Sequence, residues 1–237
     1  MAADPRVAHG QVAVERIDEG LRSYMLSVYN YMFLGLGLTG MVAYVAAQSP
    51  QLLGLIHGTP LKWVLFAAVL GIAWFGMPRI TRMSLGAAHL MFWAFATVFG
   101  LMLSYVFAVY TGSSVARAFF MTAAVFGGMS LYGYTTKRDL SGLGSFLIVG
   151  LLAAFIASLI NIFILESSLV QMVISVVVIA VAVGLTAYDT QQIKQMYYEL
   201  DQSDVVAKKA LMGAMHLYFN FILIFQNLLY LTGMMEE

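Results

Sequence analysis

A chain of 237 residues in which 61% are hydrophobic and only 10% charged departs far from the roughly 25% charged residues of soluble domains, so the bilayer is its expected solvent. Twelve basic and twelve acidic side chains cancel, and no basic run or aromatic-basic interleaving marks a phosphate-binding surface, which sets nucleic acid aside as a partner. The absence of cysteine excludes disulfides, thiolate zinc sites, iron–sulfur clusters and a cysteine nucleophile.

In chain order, residues 1–24 carry Asp4, Arg6, Glu15, Arg16, Asp18, Glu19 and Arg22 and lack the basic-then-apolar layout of a cleavable signal peptide. They read as a short cytoplasmic N-terminal segment ahead of a single membrane domain over 25–237. Apolar runs long enough to cross about 30 Å of hydrocarbon follow at 25–47, 61–77, 86–110, 115–134, 143–165, 169–193 and 209–233. The second is short and ends at Pro78, where it is expected to tilt little or break. Short turns separate the runs, among them Gln48-Ser49-Pro50, Thr111 to Ser114 and Glu166 to Ser168, and the charged segment from Lys194 to Lys209 reads as a loop. The runs are continuous rather than alternating, so the fold class is all-α: seven transmembrane helices, not a barrel.

Ten of the twelve Lys and Arg residues fall on one side if the N-terminus is cytoplasmic, with Lys62 and Arg117 alone on the other. That bias places the N-terminus inside and Glu236 and Glu237 outside.

An ionisable residue within a span is costly and is a functional candidate by default. Asp189, late in the sixth run, is the acidic residue so placed; the competing reading makes it an interfacial group paired with Lys194. Gly213, His216, Asn220 and Asn227 form a polar stripe along the last run, at spacings that keep them on one helix face. Counted inward from the 194–208 loop, His216 and Asn220 reach the depth of Asp189. The alternative is that the asparagines are interhelical hydrogen-bonding glue and His216 a structural residue. A His216–Asp189 pair would titrate as a coupled unit and sense pH. Arg79 and Arg82 follow the second run on the same side; they read either as positive-inside anchors or as a latch that reaches in to Asp189. Asn161 and Glu166 lie at the opposite end, Glu166 as a solvated group.

No enzyme is expected. Ser130 lies in Gly128-Met129-Ser130-Leu131-Tyr132-Gly133, which lacks the spacing of a nucleophile elbow, and no His-Glu-x-x-His is present. The interior of the seventh run has no lysine for a Schiff base. The methionines and phenylalanines read as lipid-facing and packing residues, and no cofactor is expected.

Four stretches, from Ser130 through Tyr134-Thr135-Thr136-Lys137-Arg138-Asp139 to Ser141, Asn161-Ile162-Phe163, Tyr188-Asp189-Thr190-Gln191-Gln192-Ile193, and Ala210-Leu211 through Leu217-Tyr218-Phe219-Asn220-Phe221-Ile222, resemble the Bax inhibitor-1 (transmembrane Bax inhibitor motif) family, in its bacterial form. The resemblance implies a seven-helix fold with the last helix near the centre, in a bacterial inner membrane. It implies a pH-sensitive calcium or cation leak channel governed by two membrane aspartates, with calcium as the transported ion. Asp189 matches the first aspartate; Asn220 stands where the second is expected. The metal site is therefore assigned to Asp189 and Asn220, and gating and pH sensing to Asp189, His216 and Arg79 or Arg82. Two carboxylates can share a proton and offer a hard cation two charges; Asp with Asn offers one. The competing function is a non-conducting interaction protein that modulates a membrane-bound quality-control protease. Proton-coupled transport of a small metabolite has only His216 and Asp189 behind it.

Overall fold

The structure is a computed structural model that describes the backbone of residues 5–234 and the side chains of 19–233. The side chains of Arg6 and Arg16, and Glu236 and Glu237 altogether, lie outside the described residues. The described chain forms α1 (Pro5–Ala47), α2 (Pro50–His57), α3 (Leu61–Gly71), α4 (Leu85–Val109), α5 (Gly112–Thr135), α6 (Ser141–Ile160), α7 (Ser168–Gln195) and α8 (Ser203–Met234). Among the described residues seven stretches are long and apolar enough to cross a membrane, and each overlaps one of the seven expected runs.

The turns are set by small polar residues that stop one helix and start the next. The side chains of Ser49, Ser84, Thr111 and Ser167 accept hydrogen bonds from the backbone N–H groups of Leu52, Ala87, Ser114 and Val170, satisfying donors that the first turns of α2, α4, α5 and α7 leave open. In hydrocarbon those donors would find no water, so the caps also mark where each helix meets the membrane boundary. Ser49 together with Pro50 starts α2, a short helix where a plain turn was expected.

Two other boundaries differ from expectation. The second span does not end at Pro78: beyond α3 the chain continues through a wide helical turn, Ile72–Gly76, into a tight one, Met77–Arg82. The tight turn takes Pro78 near its start, where the missing N–H costs no helical bond. The charged segment is mostly helix. Only 196–202 lies between α7 and α8, so Lys208 and Lys209 sit in the first turns of α8.

The last helix is the axis of the bundle. It packs against α1, α4, α5 and α7, and 56% of its apolar window is buried, against 17% for the spans built on α3 and α6. Where α8 meets α4, the Tyr218 ring stands edge-on to Phe95 and Phe99, with centroids 5.3 and 5.9 Å apart. Outward-facing Ile162, Phe163, Ile164 and Leu165 are left to lipid. Several buried hydroxyls are tied to carbonyls. Thr39 Oγ1 donates to the Ala96 carbonyl at 2.9 Å and accepts from the Tyr218 hydroxyl at 2.7 Å.

Candidate functional site

Asp189 and Asn220 meet across the α7–α8 interface. Asn220 Nδ2 donates to Asp189 Oδ2 at 2.6 Å, with Asn220 buried and Asp189 half-buried. A carboxylate at this depth is tolerable only with such a partner. Close packing sets the depth of the pair. A side chain at Gly213 would stand 3.0 Å from Ile193, four residues beyond Asp189, and the backbone of α5 at Gly133 rests on the Ala187 carbonyl two residues before it. His216, one turn before Asn220, lies within electrostatic reach of Asp189. The expected Asp, Asn and His are therefore brought together. Across the pair the partner of the Asp189 carboxylate is an amide, and among the described residues no group of three His, Asp or Glu side chains is arranged to hold a metal ion.

The remaining members of the polar stripe part company. Asn227 Nδ2 donates to the Leu223 carbonyl at 2.8 Å within its own helix, so it does not bridge helices. Lys194 does not pair with Asp189: its ammonium donates to the Tyr134 carbonyl at 2.9 Å and lies 4.8 Å from the centre of the Tyr134 ring. Arg79 donates to the Phe75 carbonyl at 2.9 Å, and both Arg79 and Arg82 are exposed. Among the described residues, neither arginine forms an ion pair with Asp189 in this conformation. At the opposite end, Asn161 Nδ2 donates to the Ser167 carbonyl and its Oδ1 accepts from Ser167 N–H, closing the α6–α7 turn, while Glu166 is exposed with a left-handed φ of 48°.

A second polar feature, not singled out in the sequence, borders the pair. Thr190 donates to the Thr186 carbonyl at 2.7 Å, which leaves its oxygen to accept from Ser130 at 3.0 Å; Ser130 in turn accepts from Tyr29 at 2.5 Å. This chain of hydroxyls joins α1, α5 and α7 one residue from Asp189. Hydroxyls at Ser130 and Thr190 in otherwise apolar spans were the available signal; Tyr29 carried none.

The α5–α6 loop is held by the same end of α7. Gln191 Oε1 accepts from Leu140 N–H at 2.9 Å and its Nε2 donates to the Arg138 carbonyl at 2.7 Å. Asp139 Oδ1 accepts from Ser141 N–H at 2.9 Å, and that bond, with a further one from the Ser141 side chain, holds the carboxyl below its ordinary range. Two of the stretches that carry the family resemblance, 130–141 and 188–193, are thus bonded directly to each other.

The fold and this site define a multi-pass helical membrane protein with a half-buried, hydrogen-bonded carboxylate between α7 and the central α8. The chain belongs to the Bax inhibitor-1 family: the family model described as "Inhibitor of apoptosis-promoting Bax1" matches residues 21–237. It is 41% identical to the inner membrane protein YbhL of Escherichia coli over 217 residues, covering 90% of this chain and 92% of that protein. It is 45% identical to a protein of Rickettsia prowazekii over 91% of both chains, and 42% identical to one of Caulobacter vibrioides over 92% and 90%.

Proposed function

We propose that the protein is a pH-sensitive calcium or cation leak channel of the bacterial inner membrane, with Asp189 as its ion and proton site and Asn220 as a neutral ligand. The observation that carries this reading is the 2.6 Å bond from Asn220 Nδ2 to Asp189 Oδ2 inside the bundle. Similarity to the inner membrane protein YbhL supports the location, and the Lys and Arg bias supports a cytoplasmic N-terminus with Asp189 toward the cytoplasmic end.

In this mechanism the Asn220 amide follows the state of Asp189. It donates N–H to the ionised carboxylate. It turns its carbonyl oxygen to the site when Asp189 binds a proton or when a hard cation takes carboxylate and amide oxygens together. His216, one turn before Asn220, adds a second polar side chain beside the carboxylate. Arg79 or Arg82 supplies the latch by inward movement of the Met77–Arg82 turn. Calcium is cargo, and the chain is not an enzyme in this reading.

The test is calcium entry into proteoliposomes across a pH series with wild type, Asp189→Asn and Asn220→Asp. A leak that falls at least tenfold in Asp189→Asn and changes its pH dependence in Asn220→Asp is the expected result. Flux unchanged by Asp189→Asn would overturn it. Silence of all three proteins would leave the second reading, a non-conducting protein that modulates a membrane-bound protease, which the single carboxylate favours.

A further inference from the structure

The helices leave a crevice at the other end of α8. It encloses about 350 Å³ between α1, α4, α5 and α8. Phe221, Ile222 and Phe225 of α8 form its floor, and Leu36, Ala43 and Phe119 belong to its walls. An apolar cavity of about 150 Å³ already stays dry and takes a small hydrocarbon, and this one is more than twice that size. The lining offers water nothing: Thr39 is its polar side chain, and that hydroxyl already donates to Ala96 and accepts from Tyr218.

All four helices are spans, so the medium around the crevice is lipid hydrocarbon rather than water. The α5 residues that line it, from Gly112 to Phe120, begin at the Thr111 turn, which puts the crevice in the leaflet away from Asp189. Helices in a membrane are not pressed together by water exclusion, so an apolar gap between them persists unless something of its own shape fills it with dispersion contacts. Gly40 widens the gap: a side chain there would meet no atom within 4 Å.

We infer that this crevice is a binding site for one hydrocarbon chain of a bilayer phospholipid, entering laterally from the leaflet on the α4–α5 turn side. The chain lies on Phe221, the residue after Asn220, and braces α8 against α1 and α5.

The experiment uses the full chain in phospholipid liposomes containing a trace of phospholipid with a photoactivatable diazirine on its acyl chain, and maps the labelled peptides by mass spectrometry. Labelling of 112–120 and 221–225 is expected to exceed that of the lipid-facing 162–165 segment several-fold. Gly40→Leu and Ala116→Leu, which fill the crevice, should lower it several-fold while leaving 162–165 unchanged. Crevice labelling no higher than at 162–165, labelling indifferent to both substitutions in folded protein, or crosslinks showing a second copy of the chain in the crevice would each overturn the assignment. Where a filling variant does not fold, the wild-type ratio decides alone.

Discussion

The α5 backbone at Gly133 lies directly on the Ala187 carbonyl of α7, and a methyl group at Gly133 would come within 2.2 Å of that oxygen. The obstacle is backbone, which cannot swing aside. Gly133→Ala is therefore expected to destabilise the bundle by about 1–3 kcal/mol from overpacking, less the ~1 kcal/mol that alanine gains in a helix. Gly128→Ala on the same helix meets no atom within 4 Å and should be neutral or stabilising. Unfolding of both variants in mixed micelles checks the contrast.

Charge and packing at the Asp189–Asn220 pair can be separated. Asn220→Leu removes the donor and leaves a carboxylate unpaired, at an expected cost of about 1.5–3 kcal/mol. Asp189→Asn keeps a hydrogen-bonded amide pair of the same shape and should change stability by less than about 1 kcal/mol while abolishing any flux that depends on the charge. A cost below about 1 kcal/mol for Asn220→Leu would show that Asn220 contributes shape alone.

The hydroxyl chain from Tyr29 through Ser130 to Thr190 makes a prediction about coupling. Tyr29→Phe and Ser130→Ala should each cost about 0.5–1.5 kcal/mol, and the double variant should cost less than their sum, because both remove the same α1–α5 bond. Additive losses in the double-mutant cycle would place the two hydroxyls in separate interactions.

His57, at the end of α2, shares a 2.9 Å hydrogen bond with Ser104 of α4. Burial, and then the nearby Lys62 charge, push its pKa below the ordinary 6.5. The folded protein therefore favours neutral imidazole. The contribution of this tether is complete above the ordinary value and is lost as pH falls through the lower folded one. The protection of α2 amides against hydrogen exchange, corrected for the intrinsic pH dependence of exchange, is expected to fall as pH drops below the ordinary 6.5, and His57→Gln should flatten that response.

The seven spans, the polar turns between them and the meeting of Asp189 with Asn220 are legible in the sequence, because run length and helical spacing set how deep a residue lies. Depth alone was enough to bring Asp189, His216 and Asn220 level across two consecutive helices. Rotation was not legible. Asn227 shares the stripe yet bonds back to Leu223, and Tyr29 joins Ser130 only because α1 presents that face to α5. Lys208 and Lys209 read as loop because charge was taken as the boundary, whereas long side chains let a helix begin in the polar zone and reach back to its neighbours. Arg79 could be placed at the same end of the bundle as Asp189, but its bond to Phe75 depends on a helical turn that continues past Pro78.

Those lysines have one more consequence. Lys194 ends on the Tyr134 carbonyl, Lys208 on the carbonyls of Thr81 and Met83, and Lys209 on the Met196 carbonyl and on Asp201. Each sews the end of one membrane segment to another through a backbone oxygen rather than through an opposing charge alone. The cations counted toward the orientation of the chain are thus also its stitching. Removing them to reverse the topology would loosen the seams at the same time, so a topology signal and a tertiary contact are written in the same side chains.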